Sequence, residues 1–360
     1  MGNTRLSEVD SLRGLAAISV VAFHYTFRYE VLFGHTGPML ASAPWGQYGV
    51  NLFFMVSGFV IFMTLERTRR PLDFIVSRGS RLYPTYWVAV CLTYFAVQWL
   101  GLPGKTISVG QAAANLLMFH GLFNIPHVDN VYWTLEVELI FYTLALLMYQ
   151  LRQLQRIHAA LAALLVLRLV YFGFQQGLQI DLPWTIYRLL ILQFIPWFAL
   201  GIMVYRLTRG LGHPDARRLD IGIVAAAIGV LVVVESVPIA VLAAVLTVVL
   251  YAAASGRLPV LKVRVLVWLG MISYPLYLLH ENIGWALIRR MESAGLEPNV
   301  AALVTLTIVI GLATALHRLV EKPAMRWIRD RYRGLRPPVD DRQSAVCANL
   351  SSSRVDHEPR

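Results

Sequence analysis

The sequence predicts an all-α polytopic membrane protein with about ten transmembrane helices. Hydrophobic residues make up 57% of its 360 residues and charged residues only 15%, whereas charged residues make up about a quarter of an ordinary soluble domain. Apolar windows of about 17 to 25 residues, the length that crosses a hydrocarbon core about 30 Å thick, recur along the chain. Short basic clusters occupy alternate connections between these windows, a distribution typical of polytopic proteins.

Ten apolar windows can be placed along the chain. They cover residues 12–33, 48–65, 82–100, 132–150, 157–173, 186–205, 219–235, 238–255, 265–288 and 299–317. The polar start, Met1 to Asp10, lacks the pattern of a cleaved signal peptide, so the first window is expected to remain in the mature protein. A single membrane domain is therefore predicted over 1–335, followed by a polar, disordered cytoplasmic tail over 336–360. The longest outer connection, 101–131, is expected either to lie on the membrane or to dip back into it.

The basic residues predict the orientation of the helices. Alternate connections, beginning with the N-terminal segment, hold 23 Arg and Lys residues, whereas the opposite connections hold only Lys105, Arg289 and Arg290. The positive-inside rule then places both termini in the cytoplasm, which requires an even number of spans. Because the net charge of +11 arises from these short clusters, it indicates topology, and no nucleic-acid partner is predicted.

Several other classes of site are not predicted. Cys91 lies in a predicted span and Cys347 in the tail, so the two are badly placed to pair, and neither a disulfide framework nor a metal site is expected. The chain shows no Gly-rich phosphate loop, no internal repeat and no second soluble domain. The pattern does not predict an oligomeric state, and the lipid bilayer is the partner that composition itself implies.

The first window carries an arginine and a histidine, Arg13 and His24. Ionisable side chains within a membrane helix are costly unless partners or a wet cavity offset their desolvation, so each indicates a functional site. The step of 11 residues between them, at about 100° each, brings His24 back to within roughly 20° of the Arg13 face and about 16 Å along the helix axis. One helix face is therefore predicted to carry a cation near one membrane edge and an imidazole near mid-bilayer.

The second and third windows also combine polar side chains with membrane depth. In the second, Ser57-Gly58 either allows close helix packing, as small residues do in bilayers, or contributes a polar group to a site. At the start of the third, Arg78 and Arg81 are three residues apart and share a helix face. These arginines either anchor the helix at the membrane edge or bind a polyphosphate through charge-assisted hydrogen bonds.

The fourth and ninth windows contain carboxylates and a second histidine. Trp133 opens the fourth, and Glu136 and Glu138 follow it; two residues apart, they point about 200° away from each other, so only one is expected to face a site. The alternative for such a glutamate is a carboxylate at the membrane interface. Side chains spaced i, i+4 and i+7 line one face of the ninth window: Ser273, Tyr277 and His280. Arg168 and Arg188 receive no role beyond that of a partner for either glutamate.

Taken together, these segments resemble the acyltransferase 3 family of integral-membrane O-acyltransferases, which acylate sugars of surface polysaccharides, lipopolysaccharide, Nod factors and some macrolides. Each motif is weak alone, but six in the right order are specific. The matching residues are Asp10-Ser11-Leu12-Arg13 with His24, Phe53-Phe54 with Ser57-Gly58-Phe59, Phe74 with Arg78 and Arg81-Leu82-Tyr83-Pro84, Trp133 with Glu138 and Phe141-Tyr142, Ser273-Tyr274 with Tyr277-Leu278 and His280, and Glu321-Lys322-Pro323. Two positions depart from the pattern: Asn51 stands where the family is often acidic, and Thr134 replaces a common serine.

The resemblance implies an enzyme that moves an acyl group, commonly acetyl, from acyl-CoA to a hydroxyl of a saccharide or glycolipid acceptor. It implies a multi-pass protein of the cell (inner) membrane that uses acyl-CoA as a co-substrate and holds no permanent cofactor. We expect His24 to act as a general base toward the acceptor hydroxyl, because imidazole, with a reference pKa of about 6.5, supplies a neutral base at physiological pH. An acyl-histidine intermediate is the alternative.

The other candidate residues receive roles from the same resemblance. Glu138 is expected to orient His24 or His280, or to bind acceptor hydroxyls. The remaining substrate-binding candidates are Arg13, Arg78 and Arg81 for the donor, Tyr277 and Ser273 as hydrogen-bond donors to a developing oxyanion, and Ser57, Trp133, Glu136 and His280. The rival interpretation is a proton-coupled transporter or flippase of a glycan precursor, in which buried His and Glu residues relay protons.

Overall fold

Helices form the regular structure of the part of the chain that the structure describes. The computed structural model describes residues 6–180, 182–210 and 214–335, and no strand occurs among them. The predicted tail, 336–360, lies outside the described residues. The α-helices are α1 (Ser7–Ala22), α2 (Tyr29–Phe33), α3 (Gly49–Glu66), α4 (Pro71–Leu100), α5 (Val109–Asn115), α6 (Trp133–Gln150), α7 (Ile157–Gly173), α8 (Trp184–Leu189), α9 (Ile195–Arg209), α10 (Pro214–Val234), α11 (Val237–Ala254), α12 (Arg264–Leu279), α13 (Asn282–Ser293), α14 (Pro298–Leu316) and α15 (Lys322–Gly334). A π-helical segment, Phe23–Arg28, joins α1 to α2.

The apolar helices agree with the predicted membrane protein. Every predicted window overlaps at least one helix. Five helical stretches within the described ranges are long and apolar enough to cross a membrane: Pro44–Glu66, Asn130–Gln150, Leu154–Leu178, Val237–Ala254 and Pro298–Gly334. Ten crossings and cytoplasmic termini therefore stay predictions.

Two of the predicted windows are interrupted rather than continuous helices. The window 186–205 divides into α8 and α9, because Ile191 adopts a left-handed backbone conformation (φ 47°) and Pro196, at the start of α9, has no backbone N–H to donate. The window 265–288 divides into α12 and α13 at His280 and Glu281.

The break between α12 and α13 is stabilised by the outer connection. Asn282 begins α13, and its backbone N–H donates to Oδ2 of Asp129 at 3.0 Å instead of to a preceding turn of helix. Asn115 folds the connection back on itself: its Nδ2 donates to the carbonyl of Pro126 at 2.9 Å, and its Oδ1 accepts from the N–H of Val128 at 2.8 Å. The connection 101–131 therefore covers the break and places a buried carboxylate beside it.

Glycines bring two helix pairs into close contact. A Cβ on Gly14 of α1 would clash with the backbone of α12, and one on Gly270 of α12 would clash with the backbone of α1. In the second pair, a Cβ on Gly58 of α3 would clash with the backbone of α9, and one on Gly201 of α9 would clash with the backbone of α3. Small residues at these contacts allow the backbones to approach, as in other membrane helices. The packing interpretation therefore applies to Gly58, whereas Ser57 beside it faces a cleft.

Candidate active site

A cleft with three arginines lies between α1, α3, α4, α6 and α12, and we name it the arginine cleft. Its empty volume is about 720 Å³. The sequence-predicted residues that line it are Arg13, Ser57, Arg78, Arg81, Glu138, Ser273 and Tyr277. These side chains come from five different helices, so the fold brings together seven of the eleven candidates.

The charge of the arginine cleft is strongly unbalanced. Its lining holds three guanidinium groups and one carboxylate, Glu138. Nη2 of Arg78 donates to Oγ1 of Thr64 at 2.6 Å, while its buried Nε has no partner in the described residues. A buried donor without a partner costs free energy unless a ligand supplies an acceptor. The cleft is therefore suited to an anionic ligand with several acceptor oxygens.

Glu138 belongs to the arginine cleft and not to the environment of His24. Its Oε1 accepts from the hydroxyl of Ser57 at 3.0 Å and from that of Tyr142. The expected contact between Glu138 and either His24 or His280 is absent from the described hydrogen bonds, because Glu138 lines the arginine cleft, whose lining does not include either histidine. The carboxylate of Glu138 therefore faces the arginine cleft.

A second cleft contains His24, and we name it the histidine cleft. Its empty volume is about 1160 Å³, and its polar lining includes Arg28, Asn51 and Gln193. Trp133 lines it too. On α1 and its π-helical continuation, Arg13 and His24 lie 11 residues apart, so the first helix contributes to the two clefts at different points along its length.

Two side chains separate the clefts. Val50 and Tyr277 line both the arginine cleft and the histidine cleft. The Tyr277 hydroxyl contacts Oγ1 of Thr134 at 3.0 Å, so the ring is fixed within this wall. A ligand group in one cleft and a ligand group in the other are thus separated by about the thickness of a side chain.

The hydrogen bonds of His24 leave one ring nitrogen free to act as a base. His24 lies in the π-helical segment, a distortion that is frequent at functional sites. Nδ1 of His280 is 2.8 Å from the carbonyl oxygen of Tyr277, so it carries a proton and leaves Nε2 as an acceptor. Nδ1 of His24 is 2.9 Å from the carbonyl oxygen of Val20 and 3.1 Å from Nε2 of His280. Since both neighbours are acceptors, Nδ1 of His24 carries the proton and Nε2 holds the lone pair.

Glu281 is the site residue that sequence reasoning missed. Its Oε2 lies 3.6 Å from Nε2 of His24, and its side chain is 1% exposed. The sequence signal was available, since Glu281 directly follows His280 in an apolar window. A continuous helix, however, would direct adjacent residues about 100° apart, and only the break after α12 turns both toward His24.

The remaining candidates lie around the clefts. Glu136 accepts from Nε and Nη2 of Arg188, at 3.0 and 2.6 Å, and lines a separate cleft of about 750 Å³. The predicted partnership of Arg188 with a glutamate is thus present, whereas Arg168 lies 3.6 Å from Glu235. Oγ of Ser273 donates to the carbonyl of Gly270 at 2.9 Å.

The outer connection holds a histidine pair close to Glu136. Nε2 of His120 lies 2.7 Å from Nδ1 of His127. Burial, followed by the charge of His127, lowers the pKa of His120 to about 4. Burial and the charge of Arg188 lower the pKa of His127 as well. Both rings are therefore neutral at physiological pH. Within the described residues, no group of three or more His, Cys, Asp or Glu side chains could hold a metal ion.

An arginine-lined cleft and a cleft that contains a histidine share a wall within a bundle of apolar helices, an arrangement suited to a membrane enzyme with two substrates. Comparison with known families assigns the chemistry. The model of the acyltransferase 3 family, described as an acyltransferase domain, matches residues 6–318. The chain therefore belongs to this family and is an acyltransferase.

Curated relatives agree with this assignment. The chain is 27% identical to the acyltransferase MdmB of Streptomyces mycarofaciens over 93% of its own length and 94% of that protein. It is 27% identical to the exopolysaccharide production protein ExoZ of Rhizobium meliloti, over 27% of this chain and 32% of that protein. It is 28% identical to nodulation protein 10 of Rhizobium leguminosarum bv. viciae, over 36% and 39%. No solved structure matches the chain.

Proposed function

We propose that the protein transfers an acyl group, most simply acetyl, from acyl-CoA to a hydroxyl of a saccharide or glycolipid in the cell (inner) membrane. The acceptor belongs to a surface polysaccharide, a lipopolysaccharide or a glycoside. The observation that carries this proposal is the pair of clefts that meet at Val50 and Tyr277. A similarity to proteins named for exopolysaccharide production and nodulation supports a saccharide acceptor.

The arginine cleft holds the donor in this mechanism. Arg13, Arg78 and Arg81 outnumber the single carboxylate in the cleft, so together they complement the phosphates of coenzyme A. By the positive-inside pattern this cleft faces the cytoplasm, where acyl-CoA is made. Glu138, fixed by Ser57 and Tyr142, orients the arginines and the pantetheine arm between them.

The histidine cleft holds the acceptor. Nε2 of His24 takes the proton of the acceptor hydroxyl while its oxygen attacks the thioester carbonyl carbon. The new C–O bond forms, the C–S bond breaks, and the electron pair of that bond leaves with the sulfur of coenzyme A. A positioned base of this kind contributes about 10²–10⁴ in rate. The hydroxyl of Tyr277, in the shared wall, donates to the oxyanion that develops on the carbonyl oxygen.

Two substitutions test the assignment. Membranes are incubated with radiolabelled acetyl-CoA, and label in the saccharide fraction is measured. His24→Ala and Glu138→Gln should abolish transfer while the amount of protein in the membrane stays normal. His317→Ala is the matched control, because His317 contacts Glu321 and lines neither cleft. Full transfer by His24→Ala would refute the base assignment, and absence of any label from wild-type saccharides would refute acyl transfer from acetyl-CoA.

The acceptor is identified by a complementary measurement. Mass spectrometry of surface glycans from a deletion strain should show the loss of one acyl group. Restoring the wild-type gene should return that group, whereas the gene with His24→Ala should not. Unchanged glycans and unchanged secreted glycosides in the deletion strain would contradict a saccharide acceptor.

A further inference from the structure

A buried acidic pair lies behind His24. The side chains of Glu281 and Asp129 are 1% and 0% exposed, and Oδ2 of Asp129 accepts from the backbone N–H of Asn282, the residue after Glu281, at 3.0 Å. Two neighbouring buried carboxyl groups repel each other when both are ionised, so a proton on one of them stabilises the pair. Oε2 of Glu281 has no hydrogen-bond partner in the described part of the chain and lies 3.6 Å from Nε2 of His24.

Capping of a helix N-terminus accounts for the buried carboxyl group of Asp129 but not for that of Glu281. Asp129 accepts from the backbone N–H of Asn282 at 3.0 Å and from that of Val131 at 3.4 Å, so it would be retained for the fold alone. A buried carboxylate oxygen without a hydrogen bond is costly. Its position opposite the base indicates that the missing partner is a proton delivered by His24.

Charged and titratable groups approach the acidic pair from the first helix and from the outer connection. His24 faces Glu281, Arg28 lies on the same π-helical segment and lines the histidine cleft, and the ring of His280 contacts Nδ1 of His24. From the outer connection, Nζ of Lys105 lies 5.2 Å from the ring centroid of Trp285 and acts on both carboxyl groups. The pair therefore has cations near it, and its contact with an ionisable partner in the described structure is the 3.6 Å approach of Glu281 to His24.

We propose that Glu281, held by Asp129, is the positioning residue that stabilises the imidazolium of His24 and then receives its proton. This inference rests on the proposed role of His24. When the acceptor oxygen forms its ester bond, its proton moves to Nε2 of His24 and the electron pair of the broken C–S bond stays on the thiolate of coenzyme A. The proton then moves from Nε2 to Oε2 of Glu281. The reaction is balanced when water protonates the thiolate and the acidic pair releases its proton to water.

Opposite shifts of the pH profile test this role. Transfer of label from acetyl-CoA to membrane saccharides is measured from pH 5 to 9 with the full-length protein in membranes. Glu281→Gln removes the negative charge, so His24 should stay neutral to lower pH: the acid limb of the profile should move about one pH unit to lower pH, since a neighbouring charge shifts titration by about 1–3 units. Maximal transfer should fall about 100-fold, with an unchanged KM for acetyl-CoA.

Asp129→Asn should move the acid limb of the pH profile in the opposite direction, to higher pH. An asparagine has one acceptor oxygen, so it can still accept one of the two backbone hydrogen bonds of the cap, which go to different oxygens of Asp129. It leaves Glu281 as the only carboxyl group of the pair, which then carries the full charge and favours the imidazolium. Loss of packing would not produce shifts of opposite sign in the two variants. If Glu281→Gln does not accumulate, Asp129→Asn and Glu281→Asp still decide the matter, because the latter should keep the wild-type limb.

The control and the overturning results are separate. Glu292→Gln replaces a buried glutamate of α13, which pairs with His35 at 2.6 Å, and should leave the profile unchanged. If the acid limb of the pH profile stays at the wild-type pH in both Glu281→Gln and Asp129→Asn, this inference is overturned, whereas the role of His24 is unaffected. Full activity of His24→Ala overturns the proposed base, and the inference with it.

Discussion

Replacing Arg78 by glutamine should weaken binding of the donor and leave the acceptor unaffected. Arg78 lines the arginine cleft, and its buried Nε has no partner within the described ranges. A hydrogen bond to a charged group contributes about 1.5–3 kcal/mol. Since 1.4 kcal/mol corresponds to a tenfold change in a binding constant, losing one such bond should raise the KM for acetyl-CoA about 10- to 150-fold.

A truncated donor makes this measurement specific. S-acetylpantetheine carries the thioester but no phosphate, so its KM should be the same for wild type and Arg78→Gln. Arg78→Lys should lie between the two for acetyl-CoA, because an ammonium keeps the charge but not the planar fork of the guanidinium. The KM for the saccharide acceptor should not change in any of these variants.

The matched control removes an arginine from the surface. The side chain of Arg218 is 83% exposed and does not line the arginine cleft, so Arg218→Gln changes the net charge equally without changing the KM for acetyl-CoA. The assignment of Arg78 to the donor phosphates is refuted if its glutamine variant keeps the wild-type KM for acetyl-CoA. It is equally refuted if the KM values of acetyl-CoA and S-acetylpantetheine rise by the same factor.

Two further predictions concern stability. A Cβ at Gly201 would meet the backbone of Met55, so Gly201→Ala should destabilise the fold by about 1–3 kcal/mol through overpacking and lower the midpoint of thermal unfolding in detergent. Gly311 has open space around it, so Gly311→Ala should not lower the midpoint. Equal midpoints for the two variants would contradict the close contact at Gly201. The pKa values of His120 and His127 are lowered in the folded protein, so the unfolded chain binds more protons than the folded protein as pH falls from about 6.5 toward 4. The free energy of unfolding should therefore fall over that range. A His120→Phe variant should show a weaker pH dependence of this free energy, and the same pH dependence as wild type would contradict the assignment.

The sequence predicted the helices and two of the ionisable residues that line the clefts, Arg13 and His24. Arg13 and His24 stand out because an ionisable group in an apolar window has few structural explanations, and their spacing placed them on one helix without any tertiary information. Arg78 and Arg81 were predicted to share a helix face from their spacing of three residues, and both line the arginine cleft. Each of these inferences depended on local periodicity alone.

The partners of these residues depended on tertiary contacts that periodicity does not contain. Ser57 and Glu138 are 81 residues apart in the chain, so nothing local indicated that the glutamate would join the arginines and leave His24 to another carboxylate. Glu281 turns toward His24 only because α12 ends one residue before His280. That break depends on Asp129, more than 150 residues earlier in the chain, and a single apolar window gave no sign of it.

The wall formed by Val50 and Tyr277 also has an electrical consequence. A membrane voltage ordinarily falls across a hydrocarbon layer about 30 Å thick. Where two water-accessible clefts approach each other, most of the same voltage falls across the remaining insulating layer, and moving a unit charge through it requires about 2.3 kcal/mol per 100 mV. In the proposed transfer, the acyl group carries no charge and would cross this layer without electrical work, whereas the phosphates of coenzyme A would not. Under that proposal, the same two side chains separate a neutral group that is transferred from a charged carrier that stays on its own side of the membrane.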